Sequence, residues 1–252
     1  MNRVARDNGV NMTDAEWQVR CDLAAMYRMC ELYGWTDSIY THLSIRVPDE
    51  PHCFLINNYG DLFGEVTASS LVKMDLEGNV YTDSGAFNPA GLVIHSGIYR
   101  ARPDVNCVIH THSLAGTGVS TLKRGLRPIS QDVLEIYGEL AYHEYGSIGR
   151  EEGDALGLTS QNGDCLILRN HGLLTVGATH QAALLRMYLL SRSCEVEVIA
   201  RSFGEEPAAI DPGVVEEFVS HAKTRHASSE WGTLEWRAAL RQIESRGTDW
   251  RQ

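Results

Sequence analysis

Three histidines occupy positions in the sequence that suit the ligands of a metal site. His110 and His112 lie two residues apart at the end of an apolar stretch that is typical of a buried strand. Side chains at positions i and i+2 of a strand point to the same face, so both imidazoles can address one ion. His171 follows a second strongly apolar stretch and precedes a glycine, where the chain leaves the sheet. Three imidazoles suit Zn, Fe, Mn, Co, Ni or Cu and leave positions open for substrate or water.

Other readings of these histidines stay open at this point. A His-x-His pair occurs often by chance, and His110 and His112 could be half-buried strand residues that bond to their neighbours. His95 fits a fourth ligand, a group that supports a ligand, or a core histidine, and the last two roles are favoured. His143 lies in an aromatic-rich segment and is a candidate acid or base, with a surface histidine as the alternative.

The elements that must position these residues form an α/β pattern. Short apolar or β-branched runs alternate with turn residues and with amphipathic helical stretches, which predicts a mixed or largely antiparallel central sheet covered by helices, a three-layer α/β/α fold. The predicted helices are 13–34, 87–101, 114–122, 150–158 and 179–203. The predicted strands are 43–47, 53–57, 71–75, 80–81, 105–112, 140–142 and 164–168.

The composition limits the classes of protein to which this chain can belong. The 252 residues include 33 acidic and 22 basic side chains, a net charge of −11 that disfavours nucleic acid and anionic membranes as partners. Neither a membrane span nor a signal peptide is predicted, and we expect a cytoplasmic protein. Six scattered cysteines without a C-x-x-C pair predict free, buried thiols. We expect one domain over 1–252, with a core at about 14–203 and a C-terminal helical tail at about 213–252.

The segments around the histidines resemble a known family. Residues 102–113, which contain His110 and His112, resemble the metal strand of the class II aldolase/adducin superfamily. Residues 166–173 resemble the strand that carries its third ligand, His171. The resemblance extends over roughly residues 14–201 and is greatest to the adducin-head branch. It implies a nine-stranded, largely antiparallel sheet between helices, and a ring, usually a homotetramer, with active sites at the clefts between subunits.

The sequence departs from the sugar-phosphate aldolases of this family. There, a Pro-Ser-Ser segment binds phosphate, and a carboxylate four positions before a helix histidine acts as acid or base. Four positions before His95 this chain has Gly91 in place of the carboxylate, and Pro89 and Ala90 replace the two serines. Each lost hydroxyl costs a charged phosphate about 1–3 kcal/mol, so an unphosphorylated substrate is expected.

Proton transfer must then come from another group, because acid or base catalysis commonly supplies about 10²–10⁴ in rate. Tyr142, His143 and Glu135 are the catalytic candidates from the pool of titratable residues near the motifs. None of the three is assigned a specific step by the sequence.

Three functions follow from the resemblance. The first is a metal-dependent carbon–carbon lyase, an aldolase or decarboxylase that acts on an unphosphorylated oxo acid or hydroxy-aromatic acid, with zinc as the first expectation and Fe, Mn or Co as others. The second is a non-heme iron oxygenase of an aromatic 2-oxo acid. The third is a non-catalytic, adducin-like oligomeric interaction domain.

Overall fold

A seven-stranded sheet forms the centre of the computed structural model, which describes residues 3–5, 11–82, 85–147 and 149–252. In sheet order the strands are β5 (Val72–Asp75), β4 (Glu50–Ile56), β3 (His42–Val47), β6 (Cys107–Thr111), β9 (Gly172–Gly177), β8 (Cys165–Leu168) and β7 (Leu140–His143). A separate two-stranded sheet pairs β1 (Arg3–Ala5) with β2 (Asn11–Thr13).

Within the seven-stranded sheet, every neighbouring pair is antiparallel except β7 and β8, which are parallel. The sheet is therefore mixed and largely antiparallel, as the sequence predicts. Its described part has seven strands and not the nine that the family resemblance implies.

Helices cover both faces of this sheet, which gives the predicted three-layer α/β/α arrangement. One face carries α2 (Pro89–Ala101) and α5 (Arg150–Thr159). The opposite face carries α1 (Asp14–Leu32), α3 (Leu114–Ser120), α4 (Gln131–Ile136), α6 (His180–Ser202) and α8 (Thr233–Glu244). Helix α7 (Pro212–His226) packs against α4.

Strand alternation explains why two cores form. On β8, Leu166 and Leu168 join the core under α2 and α5, whereas Cys165 and Ile167 join the core under α1 and α6. The sequence of a strand that is buried on both faces is a continuous apolar run, because neither set of alternate side chains contacts solvent. All six cysteines are free and buried, as predicted. Among the described residues, no helix combines the length and apolarity that a membrane crossing needs.

Most predicted elements lie within a few residues of the observed ones, with caps where the sequence places them. The Thr13 and Asn88 side chains accept hydrogen bonds at the N-termini of α1 and α2. The predicted strand 80–81 is wrong, because Val80 makes only an isolated bridge to Met74. Strand β9 and helix α4 have no counterpart in the sequence prediction.

Helices α2 and α5 approach each other through glycines. A Cβ atom on Gly97 would lie 2.1 Å from the Gly153 carbonyl oxygen, and one on Gly153 would lie 2.6 Å from the Val93 carbonyl oxygen. On Gly157 it would lie 2.5 Å from the Gly97 carbonyl oxygen. Because these distances are below van der Waals contact, any side chain here forces the helices apart. The glycines thus set how deeply α5 sits against the sheet.

We predict that Gly97→Ala lowers the free energy of unfolding by about 1–3 kcal/mol, the usual cost of overpacking a tight interior. Gly118→Ala is the matched control: this helical glycine is exposed and its Cβ would meet nothing within 4 Å. Since alanine favours helix over glycine, that change should stabilise by up to about 1 kcal/mol. Urea unfolding followed by circular dichroism measures both, and equal midpoints would contradict the close helix contact.

Candidate metal centre

The structure brings together the three histidines that the sequence singles out. One ring nitrogen each of His110, His112 and His171 can be chosen so that all lie within 4.8 Å of one another. The ring centroids are 4.8 to 4.9 Å apart in all three pairs. Three imidazoles at this spacing form a donor set that a single transition-metal ion can share.

Hydrogen bonds fix how two of these rings face the centre. The Nδ1 of His110 lies 2.9 Å from the Leu173 carbonyl oxygen, and the Nδ1 of His112 lies 2.9 Å from Asp37 Oδ2. Both partners only accept, so each Nδ1 carries the hydrogen, and the neutral ring of His110 is left with an Nε2 lone pair. The two Nε2 atoms are 3.1 Å apart and face each other. A metal ion at this point could be shared by both rings.

A tight turn places His171 beside the other two rings. Leu168 and Gly172 are paired across the β8–β9 hairpin, and Asn170 between them has a positive φ of 56°, a conformation that asparagine tolerates well. A Cβ on Gly172 would lie 2.5 Å from the Thr111 carbonyl oxygen and 2.8 Å from His112 Cδ2. The glycine therefore lets β9 approach β6 closely next to the ligands.

Burial keeps these rings in the form that binds metals. The pKa of His110 falls well below the usual 6.5, first through burial and then through the rings of His42, His171 and His112. Burial and then His112 lower the pKa of His171 to about 4. The neutral imidazole is the ligand form, so no proton has to leave these two rings near neutral pH before an ion binds.

A second row of polar side chains stands behind the centre. His42 is the register partner of His110 across β3 and β6, and their ring centroids are 5.2 Å apart. Its Nδ1 lies 2.7 Å from His95 Nε2, and His95 Nδ1 contacts Ser44 Oγ, which is 2.7 Å from the Tyr99 hydroxyl. His95 is fully buried, and burial lowers its pKa to about 3. It contacts His42, the neighbour of His110, and its supporting role stays a prediction.

The space next to Gly91 is filled by His42. A Cβ at position 91 would lie 3.1 Å from His42 Cδ2 and 3.0 Å from Ile56 Cδ1. Position 91 therefore faces the ring that contacts His110. The family resemblance leads us to expect a carboxylate at position 91. In this chain the His42 imidazole occupies the space next to that position.

The chain before His42 is strained. Thr41 is buried and has a φ of 70°, which a β-branched residue adopts only where its surroundings force it. Such backbone costs about 1–3 kcal/mol and clusters at functional sites. The strained segment holds His42 and also Asp37, the carboxylate that orients His112.

A cavity opens beside His171, and we name it the His171 cavity. Helix α2, the segment after β7, helix α5 and the β8–β9 turn form its wall. Its lining residues are Val93, Ile94, His143, Glu144, Tyr145, Gly146, Glu152, Leu156, Leu168, Arg169 and His171. An apolar wall with a few convergent polar groups is typical of a small-molecule site.

Of the three predicted catalytic residues, the structure places one in this cavity. His143 lines it, with Nε2 at 2.9 Å from Glu152 Oε1. Tyr142 points to the other face of β7, where its hydroxyl accepts a hydrogen bond from the Leu126 amide at 3.0 Å. Glu135 on α4 pairs with Arg225 of α7 at 2.7 Å and does not line the cavity.

Sequence reasoning misses Asp37, His42 and Glu152. His42 and Asp37 reach the centre only through the β3–β6 register and the strained turn, which no local pattern encodes. Glu152 lies in the acidic first turn of a predicted helix, where a capping role is the ordinary explanation. The family resemblance over residues 14–201 spans all three positions, Thr41-His42 included, but assigns none of them a role.

A second group of possible ligands does not support a metal site. Glu50, His52 and Cys53 have ligand atoms within 4.8 Å of one another. However, the Lys73 ammonium lies 2.8 Å from Glu50 Oε1 and already balances that carboxylate. Burial also raises the pKa of Cys53 to about 11, away from the thiolate that binds metals.

Comparison with known proteins agrees with this geometry. Residues 21–198 match the family model of the class II aldolase and adducin N-terminal domain. The chain belongs to this family. A putative aldolase class 2 protein of Caulobacter vibrioides is 43% identical over 92% of this chain and 91% of its own length. Rat alpha-adducin is 40% identical over 84% of this chain, which covers 30% of that longer protein.

Solved structures of this family show the same fold. An aldolase II superfamily protein from Pseudomonas syringae superposes with a TM-score of 0.91 and 40% identity, over 96% of this chain and 98% of that one. An L-fuculose 1-phosphate aldolase from Glaciozyma antarctica superposes with a TM-score of 0.83 and 28% identity, over 94% and 93%.

We predict that Gly91→Glu alters the geometry of an ion held by the histidines, because the added side chain must displace His42 from its place against His110. The visible absorption spectrum of cobalt-loaded protein reports this geometry. Gly91→Ala, which adds only the Cβ, is the matched variant and should change the spectrum less. A Gly91→Glu spectrum identical to wild type, with equal cobalt affinity, would place position 91 outside the site.

Proposed function

We propose that the protein is a divalent-metal-dependent carbon–carbon lyase, an aldolase or decarboxylase, acting on an unphosphorylated oxo acid or hydroxy-aromatic acid. The observation that carries this proposal is the convergence of His110, His112 and His171, with the Nε2 atoms of His110 and His112 only 3.1 Å apart. The 43% identity with a putative aldolase class 2 protein supports it.

His110, His112 and His171 would hold the ion, with zinc as the first choice and Fe, Mn or Co as the others. A bound divalent ion supplies Lewis-acid chemistry, which stabilises the negative charge that carbon–carbon cleavage leaves on a carbonyl or phenolate oxygen. The Asp37 carboxylate and the Leu173 carbonyl orient two of the ligands, as outer-shell acceptors commonly do at such sites.

The chain's own residues shape the place where a substrate would bind. The side chains of Val93, Ile94, Leu156 and Leu168 form an apolar wall that excludes water from one side of the His171 cavity. His143 and Glu152 face the same space and can hold or move a proton there. A small planar acid matches this combination of an apolar wall and a few polar groups.

Charge in the His171 cavity supports an unphosphorylated substrate. Glu144 and Glu152 line it and would repel a phosphate dianion. Arg169 is the one basic side chain among its lining residues, and its guanidinium donates to the backbone carbonyls of Leu122 and Lys123. The N-terminus of α2 adds no hydroxyl at Pro89 or Ala90.

We also propose a homotetramer in the cytoplasm, with small-molecule sites at the clefts between subunits. Leu114 follows His112 by two residues in the chain and is 93% exposed, and Tyr145 lines the His171 cavity and is 69% exposed. These side chains give a partner subunit apolar surface to cover. Six free thiols suit a reducing compartment.

A second candidate is a non-catalytic, adducin-like interaction domain. The 40% identity with alpha-adducin favours it. The two candidates differ in what they require of the histidines: a lyase needs an ion and a substrate there, and an interaction domain needs only a folded, oligomeric surface.

We predict that zinc-, manganese- or cobalt-loaded protein cleaves at least one member of a panel of 4-hydroxy-2-oxo acids and dihydroxybenzoic acids, with release of pyruvate or carbon dioxide as the measurement. His110→Ala should abolish this activity through loss of the ion. L-fuculose 1-phosphate is the comparison substrate and should be cleaved at least about tenfold more slowly, since each missing donor to a charged group costs about 1–3 kcal/mol. Preference for the phosphorylated sugar would contradict the substrate class, and no cleavage at all would favour the interaction domain.

A further inference from the structure

The His171 cavity contains a carboxyl and an imidazole that bond to each other beside His171. Glu152 Oε1 lies 2.9 Å from His143 Nε2, and both residues line the cavity with His171. We propose that Glu152, held in place by His143, is the group that transfers protons to and from the substrate. This inference rests on the proposed lyase function and names the acid/base group that the sequence leaves unassigned.

A chain of hydrogen bonds decides where the protons of this pair lie. The Thr159 hydroxyl lies 3.1 Å from the Ala155 carbonyl oxygen and 2.9 Å from His143 Nδ1. On the other side of the ring, His143 Nε2 lies 2.9 Å from Glu152 Oε1. A carboxylate only accepts, so a Glu152 carboxylate that is ready to take a proton requires the hydrogen of this contact to lie on His143 Nε2.

The Glu152 carboxyl lies between the loop at Gly146 and the His143 ring. A Cβ on Gly146 would lie 2.0 Å from Glu152 Oε2, so the carboxyl packs directly against this loop. Its other oxygen lies 2.9 Å from His143 Nε2. Its side chain keeps 21% of its surface exposed, so it remains accessible from the cavity.

The contact between α2 and α5 brings Glu152 to this place. Gly153, the next residue, lies against the α2 backbone, where its Cβ would be 2.6 Å from the Val93 carbonyl oxygen. Val93 also lines the cavity. The same glycine contact that joins the helices therefore sets the distance of Glu152 from the apolar wall. A capping or solvent-facing glutamate would not need this constraint.

The charged and titratable groups around the pair are few. From the loop and the hairpin turn, Glu144, Tyr145, Arg169 and His171 face the same cavity. Glu144 is 87% exposed in its side chain, and the Arg169 guanidinium is engaged by backbone carbonyls. Among the cavity residues, Glu152 is the carboxyl that is both partly buried and bonded to a proton-carrying partner.

The proposed step balances as a simple proton transfer. The C–H bond next to the substrate carbonyl breaks, its proton moves to a Glu152 oxygen, and its electron pair stays on the substrate as an enolate. The reverse transfer returns a proton from Glu152 to carbon and restores the carbonyl compound. In deuterated water the carboxyl proton exchanges with solvent, so each cycle replaces one C–H by C–D.

The test uses pyruvate, a simple 2-oxo acid, and metal-loaded full-length protein in deuterated water, with proton NMR to follow deuterium entry into the methyl group. Glu152→Gln should slow exchange about 10²–10⁴-fold, the usual share of general base catalysis. Its metal content should equal that of wild type. Glu151→Gln is the matched control, because Glu151 is the exposed neighbour on the same helix, and it should exchange within threefold of wild type.

The outcomes separate the two proposals. Exchange by Glu152→Gln within threefold of Glu151→Gln overturns the role of Glu152 and leaves the lyase function in place. Wild-type protein that binds metal but exchanges no pyruvate overturns the lyase function for oxo acids, and the role of Glu152 falls with it.

A second readout needs neither metal nor activity. Nitrogen-15 NMR of histidine-labelled protein distinguishes the two neutral ring tautomers of His143, assigned with His143→Asn. We expect a hydrogen on Nε2 in wild type and Glu151→Gln, and a changed Nε2 shift in Glu152→Gln. Thr159→Val should leave the Nε2 hydrogen in place. A wild-type ring with hydrogen on Nδ1 and a lone pair on Nε2 would overturn the bond from His143 to a Glu152 carboxylate.

Discussion

Two imidazole nitrogens that face each other, His110 Nε2 and His112 Nε2, form the contact on which the candidate site depends. The Leu173 carbonyl and the Asp37 carboxylate accept from the Nδ1 atoms, which turns the two Nε2 atoms towards each other at 3.1 Å. Burial disfavours protonation of His110, so its Nε2 keeps a lone pair that a cation can use. The surrounding fold holds this arrangement in place.

Strand register supplies most of that support. Strand β6 lies between β3 and β9, so His110 faces His42 on one side and the Leu173–Leu174 backbone on the other. Gly172 permits the close approach of β9, and Asn170 permits the turn that carries His171. The glycine contact between α2 and α5 then places Glu152 beside His143 of β7 in the wall of the His171 cavity. The candidate metal centre and the cavity are thus positioned by different parts of the fold.

The sequence predicts the fold class, and it predicts for a physical reason that the three histidines lie close together. Strand alternation places His110 and His112 on one face, and the apolar run before His171 indicates a buried strand that ends there. Strand β9 escapes prediction because Gly172 and Gly177 enclose only a short apolar run, and such a run does not distinguish a strand from a turn or loop. Tyr142 and Glu135 illustrate a second limit, since a place in the chain does not tell which face of a strand or which neighbouring helix a side chain meets.

Contacts between distant segments account for the rest. Asp37, His42 and Glu152 are separated from the ligand motifs by tens of residues and reach the site through register, a strained turn and helix packing. Their residue types alone carry ordinary explanations: a turn aspartate, a strand histidine and a helix N-terminal glutamate. The contact that a side chain at position 91 would make with the His42 ring likewise becomes evident only in the three-dimensional structure.

The most direct measurement is elemental analysis of full-length protein purified without a histidine tag or chelator, alongside the His110→Ala/His112→Ala double variant. We expect about one zinc, manganese or cobalt ion per chain in wild type and its loss in the variant, since removing two of three ligands leaves no site. Iron in that place would keep the metal centre and direct attention to dioxygen consumption. Wild-type protein without bound metal, even after reconstitution with excess divalent ions, would contradict the account.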